Sequence, residues 1–239
     1  MDCGPVQPSK AAVQGTSVSK GARNRGYWYR QRRRANGAGL QRLQCLPCYT
    51  VPSNKSWAAD ERGGVTVDVL LVVDMQEGLL CGGPKHDLLA VVERINRLAL
   101  RVRQSRGSVF FVQHAGPVGN EFEPLTPGWQ LLSTIKTAPC DRIVSKTLND
   151  PFFKTSLQAD LAELRPERVL VAGWATDLCV DATVRSAAAL GFKVVAVADC
   201  HTVSDRPHLS ADKVINHHHW VWVNLLAPHP VMIAREAEV

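Results

Sequence analysis

From Val65 onward, two kinds of apolar pattern take turns along the chain, and this alternation restricts the fold more than any other feature. The run VTVDVLLVVD (65–74) is continuous and β-branched, as a strand covered on both faces requires. The next segment, DLLAVVERINRLALRVRQS (87–105), repeats its apolar residues at helical spacing and stops before Gly107. Strand patterns recur at SVFFVQH, DRIVSK, RVLVAGW, KVVAVADC and PVMIARE. Helical patterns recur at FFKTSLQADLAELRP (152–166), TDLCVDATVRSAAALG (176–191) and SADKVINHHHWVWVNLLA (210–227). Alternation of this kind predicts an α/β fold: an open six-stranded parallel sheet with helices on both faces, a Rossmann-like three-layer arrangement. Ligands in such sheets sit beyond the carboxyl ends of the strands.

Residues 1–62 lack this grammar, so the chain divides into an N-terminal extension (1–62) and one α/β domain (63–239). The net charge of +6 belongs to the extension: residues 1–60 hold ten Lys/Arg and two Asp, against 18 basic and 20 acidic residues in the remainder. Low periodicity with many Gly, Ser, Gln and Arg predicts disorder there. The stretch YWYRQRRR could give weak nucleic-acid binding through phosphate contacts and stacking. The acidic body argues against nucleic acid as the main partner. Cys45 and Cys48 have C-x-x-C spacing, but no second pair completes a zinc site. Seven cysteines, an odd number, with no apolar leader predict reduced thiols and a cytoplasmic location. No apolar run approaches the roughly 20 residues of a membrane span, so no membrane association is expected.

The strand-end rule gives the search for a site its location. The first strand run closes on Asp74, the DRIVSK run on Lys146, and the RVLVAGW run leads into a turn before Cys179. An acid, an amine and a thiol therefore converge on one edge of the sheet. A thiol at the start of a helix beside an ammonium group is easier to ionise. A carboxylate can accept its proton and pass it to a leaving group. The GWAT turn offers backbone N–H groups to an oxyanion. Asp177, close to the thiol in sequence, is expected to oppose ionisation, with Lys146 offsetting it. No G-x-S-x-G, Walker or G-x-G-x-x-G motif occurs.

LLVVDMQ, SKTLNDPFF and VAGWATDLCVDATVRSAAALGF together resemble the signature segments of the isochorismatase-like cysteine hydrolase superfamily, over about residues 65–235. The resemblance implies Asp74 as general base and acid, Lys146 as orienting and polarising group, and Cys179 as nucleophile. It implies an oxyanion hole from the N–H groups of Ala175 and Cys179, and a cis peptide at Trp174–Ala175. Gln76, His114, Phe152 and Trp174 are expected to line the substrate pocket, with the segment GPVGNEFEPLTPGWQLL as a loop over it. Nicotinamidases of this superfamily bind metal through D-x-H after the second strand; here that strand ends FFVQHAGP, so no metal and no cofactor is expected. True isochorismatases lack the cysteine and cleave a vinyl ether, so Cys179 favours an amidase. The resemblance is greatest to metal-free members near streptothricin hydrolase and ureidoacrylate amidohydrolase. The expected function is hydrolysis of a small amide or ureide through a thioester, by a homo-oligomer whose partner is the small-molecule substrate. The alternatives are a nicotinamidase-type metal-assisted amidase and a catalytically idle binding protein. His217, His218 and His219 point about 100° apart on a helix, which disfavours a shared metal. One of them is expected near the pocket or at a subunit contact.

Overall fold

A strand buried on both faces needs apolar side chains in both directions, and β1 (Val69–Val73, VLLVV) supplies five, all buried. A computed structural model describes residues 67–239. Its elements follow the order β1, α1 (Glu77–Leu80), α2 (Leu88–Gln104), β2 (Ser108–His114), β3 (Arg142–Lys146), α3 (Leu157–Leu164), β4 (Val169–Trp174), α4 (Asp181–Ala189), β5 (Val194–Thr202), α5 (Ala211–Val223) and β6 (Met232–Ala234). A π-helical turn, Thr176–Val180, joins β4 to α4. The sheet is parallel throughout and ordered β3-β2-β1-β4-β5-β6. This is the expected fold class.

Alternate residues of each strand feed two separate cores. Val69, Leu71 and Val73 face α3, α4 and α5, where Leu161, Val184 and Trp222 meet them. Leu70 and Val72 face α2, against Ile95, Leu98 and Val102. Each fully buried Val or Leu side chain contributes about 1.5–3 kcal/mol. The C-terminus is fastened to α2 by Glu236, whose carboxylate accepts from Arg97 at 2.9 Å and from Arg101.

Several boundaries differ from the sequence reading. The first strand stops at Val73, because Asp74 turns to a left-handed φ of 52°. α3 starts at Leu157 rather than at Phe152, after turns closed by Thr155 and Asp150. α5 ends at Val223, where Asn224 closes it. β5 runs two residues past Cys200 and so takes in His201 and Thr202. The extension 1–62, with Cys45–Cys48 and the basic aromatic stretch, lies outside the described residues.

Candidate active site

The strand order reverses its direction of growth at β1 and β4, so the crevice beyond their carboxyl ends is the topological switch point. Both strands leave the sheet there by unusual backbone. Asp74 adopts its positive φ while its N–H donates to the Val112 carbonyl at 2.8 Å. A non-glycine residue in this region is uncommon, and such residues concentrate at functional sites. Gly173 has φ +125°, and a Cβ there would lie 2.1 Å from the Val73 carbonyl oxygen. Only glycine lets β4 pass β1 so closely at this point. The following peptide, Trp174–Ala175, is cis. The π turn then carries Cys179, which precedes α4 rather than sitting in its first turn.

Asp74, Lys146 and Cys179 meet in this crevice. The Lys146 side chain starts at the end of edge strand β3, passes β2, and donates from Nζ to Asp74 Oδ2 at 2.6 Å. The same Nζ lies 3.3 Å from Cys179 Sγ. Asp74 and Lys146 are buried, and Cys179 is half-buried. The thiol also reaches Asn149 Oδ1 at 3.5 Å, a residue the sequence reading passed over. Asp74 Oδ1 is buried without a hydrogen-bond partner among the described residues.

The electrostatics of the thiol differ from expectation. Burial, and after it the negative charge of Asp74, push Cys179 up to about 12, with Lys146 acting in the opposite direction. Asp177 is not the opposing carboxylate. Its two oxygens are held by Arg206 at 2.7 Å each, and its pKa is lowered by that pairing despite partial burial. The resting site therefore holds a neutral thiol beside a buried ion pair. That arrangement leaves the Asp74 carboxylate able to accept the proton of the thiol.

The outlying residues divide by role. The Gln76 amide donates to the carbonyls of His114 (3.0 Å) and Trp129 (2.9 Å), and its oxygen accepts from the His114 N–H at 2.7 Å. Both its donors are spent on backbone, so Gln76 offers none to a substrate. Gln113 donates to the same Trp129 carbonyl at 2.8 Å. The loop expected to cover the pocket is therefore pinned at its far end, also by Glu77 N–H to Gln130 O and Leu132 N–H to Met75 O, both 2.8 Å. Trp129 Nε1 is buried with no acceptor among the described residues. His114 stands opposite Lys146 in the β2–β3 register, against the edge of Phe122. Burial and then the Lys146 charge lower its pKa from 6.5, against the opposing charge of Asp74. Trp174 carries Lys85 Nζ 5.4 Å from its ring centroid. Phe152 stacks on Phe192 at 6.3 Å and packs on the core. No hydrogen bond among the described residues engages the Ala175 N–H.

One buried group was missed in the sequence. His201, at the end of β5, hydrogen-bonds Thr176 Oγ1 through Nδ1 at 2.8 Å and His219 through Nε2 at 2.9 Å. Of the three consecutive histidines, His219 is thus tied through His201 to the Thr176–Val180 turn, and His218 bonds the Val214 carbonyl. No set of three His, Cys, Asp or Glu side chains is placed to hold a metal among the described residues.

This fold has counterparts. A family model, the isochorismatase domain, matches residues 68–219. The chain belongs to the isochorismatase domain family. Among curated members, a streptothricin hydrolase of Streptomyces noursei is 34% identical over 142 residues, 59% of this chain and 51% of its own. The chain thus spans about half the length of that relative. A solved isochorismatase family protein superposes with a TM-score of 0.63 at 29% identity, covering 70% of this chain and 96% of that one. N-carbamoylsarcosine amidase from Thermoplasma acidophilum shares the fold, with a TM-score of 0.60 at 18% identity over 73% of this chain and 99% of that one. No helix among the described residues is long and apolar enough to cross a membrane.

Proposed function

We propose that this protein is a cysteine hydrolase that cleaves the C–N bond of a small amide or ureide through a thioester on Cys179. The reading is carried by the contact of Lys146 Nζ with both Asp74 (2.6 Å) and the Cys179 thiol (3.3 Å). The family membership and the streptothricin hydrolase relative support it. Sulfur attacks the carbonyl carbon while its proton passes to Asp74, whose Oδ1 has no other partner among the described residues. The N–H groups of Ala175 and Cys179 receive the oxyanion. Collapse breaks the C–N bond as Asp74 returns the proton to the leaving nitrogen. Water then attacks the thioester, giving its proton to Asp74, and the acid departs as the thiol reforms. Lys146 holds Asp74 in place and balances the negative charge that moves between carboxylate, sulfur and oxyanion.

The test is ammonia release from a panel of small primary amides and ureides, by wild type and by Cys179→Ala. Wild type should turn over at least one compound, with an acylated Cys179 detectable by mass after rapid acid quench. Cys179→Ala should lose on the order of 10³-fold or more in kcat. Undiminished turnover by Cys179→Ala would remove the thiol from the chemistry.

A further inference from the structure

Thr176 begins the π turn that contains Cys179, and its hydroxyl is fully buried on His201. The sheet is distorted to bring His201 there. Between Val171 and Gly173, β4 advances two residues while β5 advances five, from Ala196 to His201. The bulge sets His201 opposite Gly173 and Thr202 opposite Trp174, directly under the turn. His201 is in turn held by His219 at 2.9 Å, with Trp222 packed on both rings and fixed by Asp181 at 2.8 Å. Two imidazoles that face each other share one N–H, so Nδ1 of His201 is matched to the Thr176 hydroxyl in either tautomer. Burial holds His201 neutral, with a pKa lowered to about 3. An apolar pair of similar size would fill this space without the desolvation penalty of two imidazoles. What the pair adds is a fixed orientation for Thr176.

We infer that His201 is a positioning residue for the acylation step. Through Thr176 it holds the Trp174–Cys179 turn in the shape that presents its N–H groups to the oxyanion. The inference rests on the thioester reading above. The other side-chain ties on this turn are Lys85 over the Trp174 ring, Lys146 and Asn149 to the Cys179 thiol, Thr183 to the Cys179 carbonyl at 2.6 Å and Arg206 to Asp177. None of these engages Thr176, the direct neighbour of Ala175. His201 therefore acts on the oxyanion pocket more than on the sulfur.

Two reagents separate these effects. Acylation of Cys179 by p-nitrophenyl acetate forms a C–S bond through a tetrahedral oxyanion, breaks the ester C–O bond and releases p-nitrophenolate. Alkylation by iodoacetamide displaces iodide from carbon and forms no oxyanion. In Thr176→Val and His201→Gln, the acylation rate should fall about tenfold or more, while alkylation of Cys179 changes less than about threefold. His201→Asn places an amide where Nδ1 sits, and Thr176→Ser retains the hydroxyl. Both should keep acylation within about threefold of wild type. The Thr176→Val and Thr176→Ser pair decides alone if the His201 variants do not fold. Equal loss of acylation and alkylation, or no loss of either, overturns the inference. The nitrophenolate burst should vanish in Cys179→Ala. If that burst persists, the thioester reading fails and takes the inference with it. If it vanishes while Thr176→Val acylates normally, only the inference falls.

Discussion

At Cys179 the sulfur lies 3.3 Å from an ammonium group, yet ionisation is disfavoured. Burial and the adjacent Asp74 outweigh Lys146, because the lysine is already committed to the carboxylate at 2.6 Å. Alkylation of Cys179 by iodoacetamide in the free protein should therefore rise about tenfold per pH unit from about pH 7 to about pH 10, followed by peptide mass analysis. A plateau near neutral pH would mean that a thiolate–lysine pair exists at rest. The buried ion pair gives a second expectation. Lys146→Met leaves the Asp74 carboxylate buried without its counter-charge, which costs about 3–5 kcal/mol. Denaturant unfolding of the single variant and of Asp74→Asn/Lys146→Met should show the double variant recovering part of that loss. Equal destabilisation of both would place the cost elsewhere, in lost packing of the lysine stem. Asp74, Lys146 and Cys179 were legible in the sequence because Lys146 ends a strand and the other two closely follow one, where the topology concentrates chemistry. Asn149 and His201 were not, since a lone polar residue in a turn and a histidine beyond an apolar run carry no periodic signal.

The strands and helices were legible for the same physical reason that they form: an element buried on one or two faces must repeat its apolar residues at period 2 or 3.6. The failures occur where side chains, rather than periodicity, fix the backbone. The segment from Ala115 to Ile135 has no period because its far end is held by glutamine amides and short backbone contacts to the Gln76–Gly78 strip. The π turn and the β5 bulge likewise add residues without changing the local apolar pattern. Gln76 was expected to touch substrate, and the geometry points to a tether instead. Gln76→Met should remove the side-chain partner of the His114 N–H and carbonyl, while the Trp129 carbonyl keeps Gln113, lowering stability by about 1–3 kcal/mol. With one of the loop's ties removed, KM for an amide substrate should rise several-fold while kcat changes less. A fall in kcat with unchanged KM would argue that the glutamine acts on the reacting atoms.

For the molecule as a whole, the buried histidines set how stability responds to acid. His201 has a folded pKa of about 3 against an ordinary 6.5, so below about pH 6.5 the unfolded chain binds a proton that the folded protein refuses. Stability from this group is fully present above pH 6.5 and is lost as pH falls toward 3, at about 1.4 kcal/mol per unit. His219 is lowered in the same direction by burial and by His218. The paired carboxylates Asp177 and Glu236, both lowered by their arginines, add their loss only at more acid pH, below the ordinary carboxylate range. The histidine window therefore opens first, near pH 6.5, and the carboxylate window joins it only below about pH 4. Urea unfolding at about pH 7.5 and about pH 5 should show a fall of about 2 kcal/mol in wild type from His201 alone. His201→Asn, which has nothing to protonate at that position, should flatten this interval while leaving the carboxylate loss below about pH 3 intact. An unchanged slope in the variant would assign the acid sensitivity to other groups, and would mean that the imidazole pair tolerates a proton that its burial argues against.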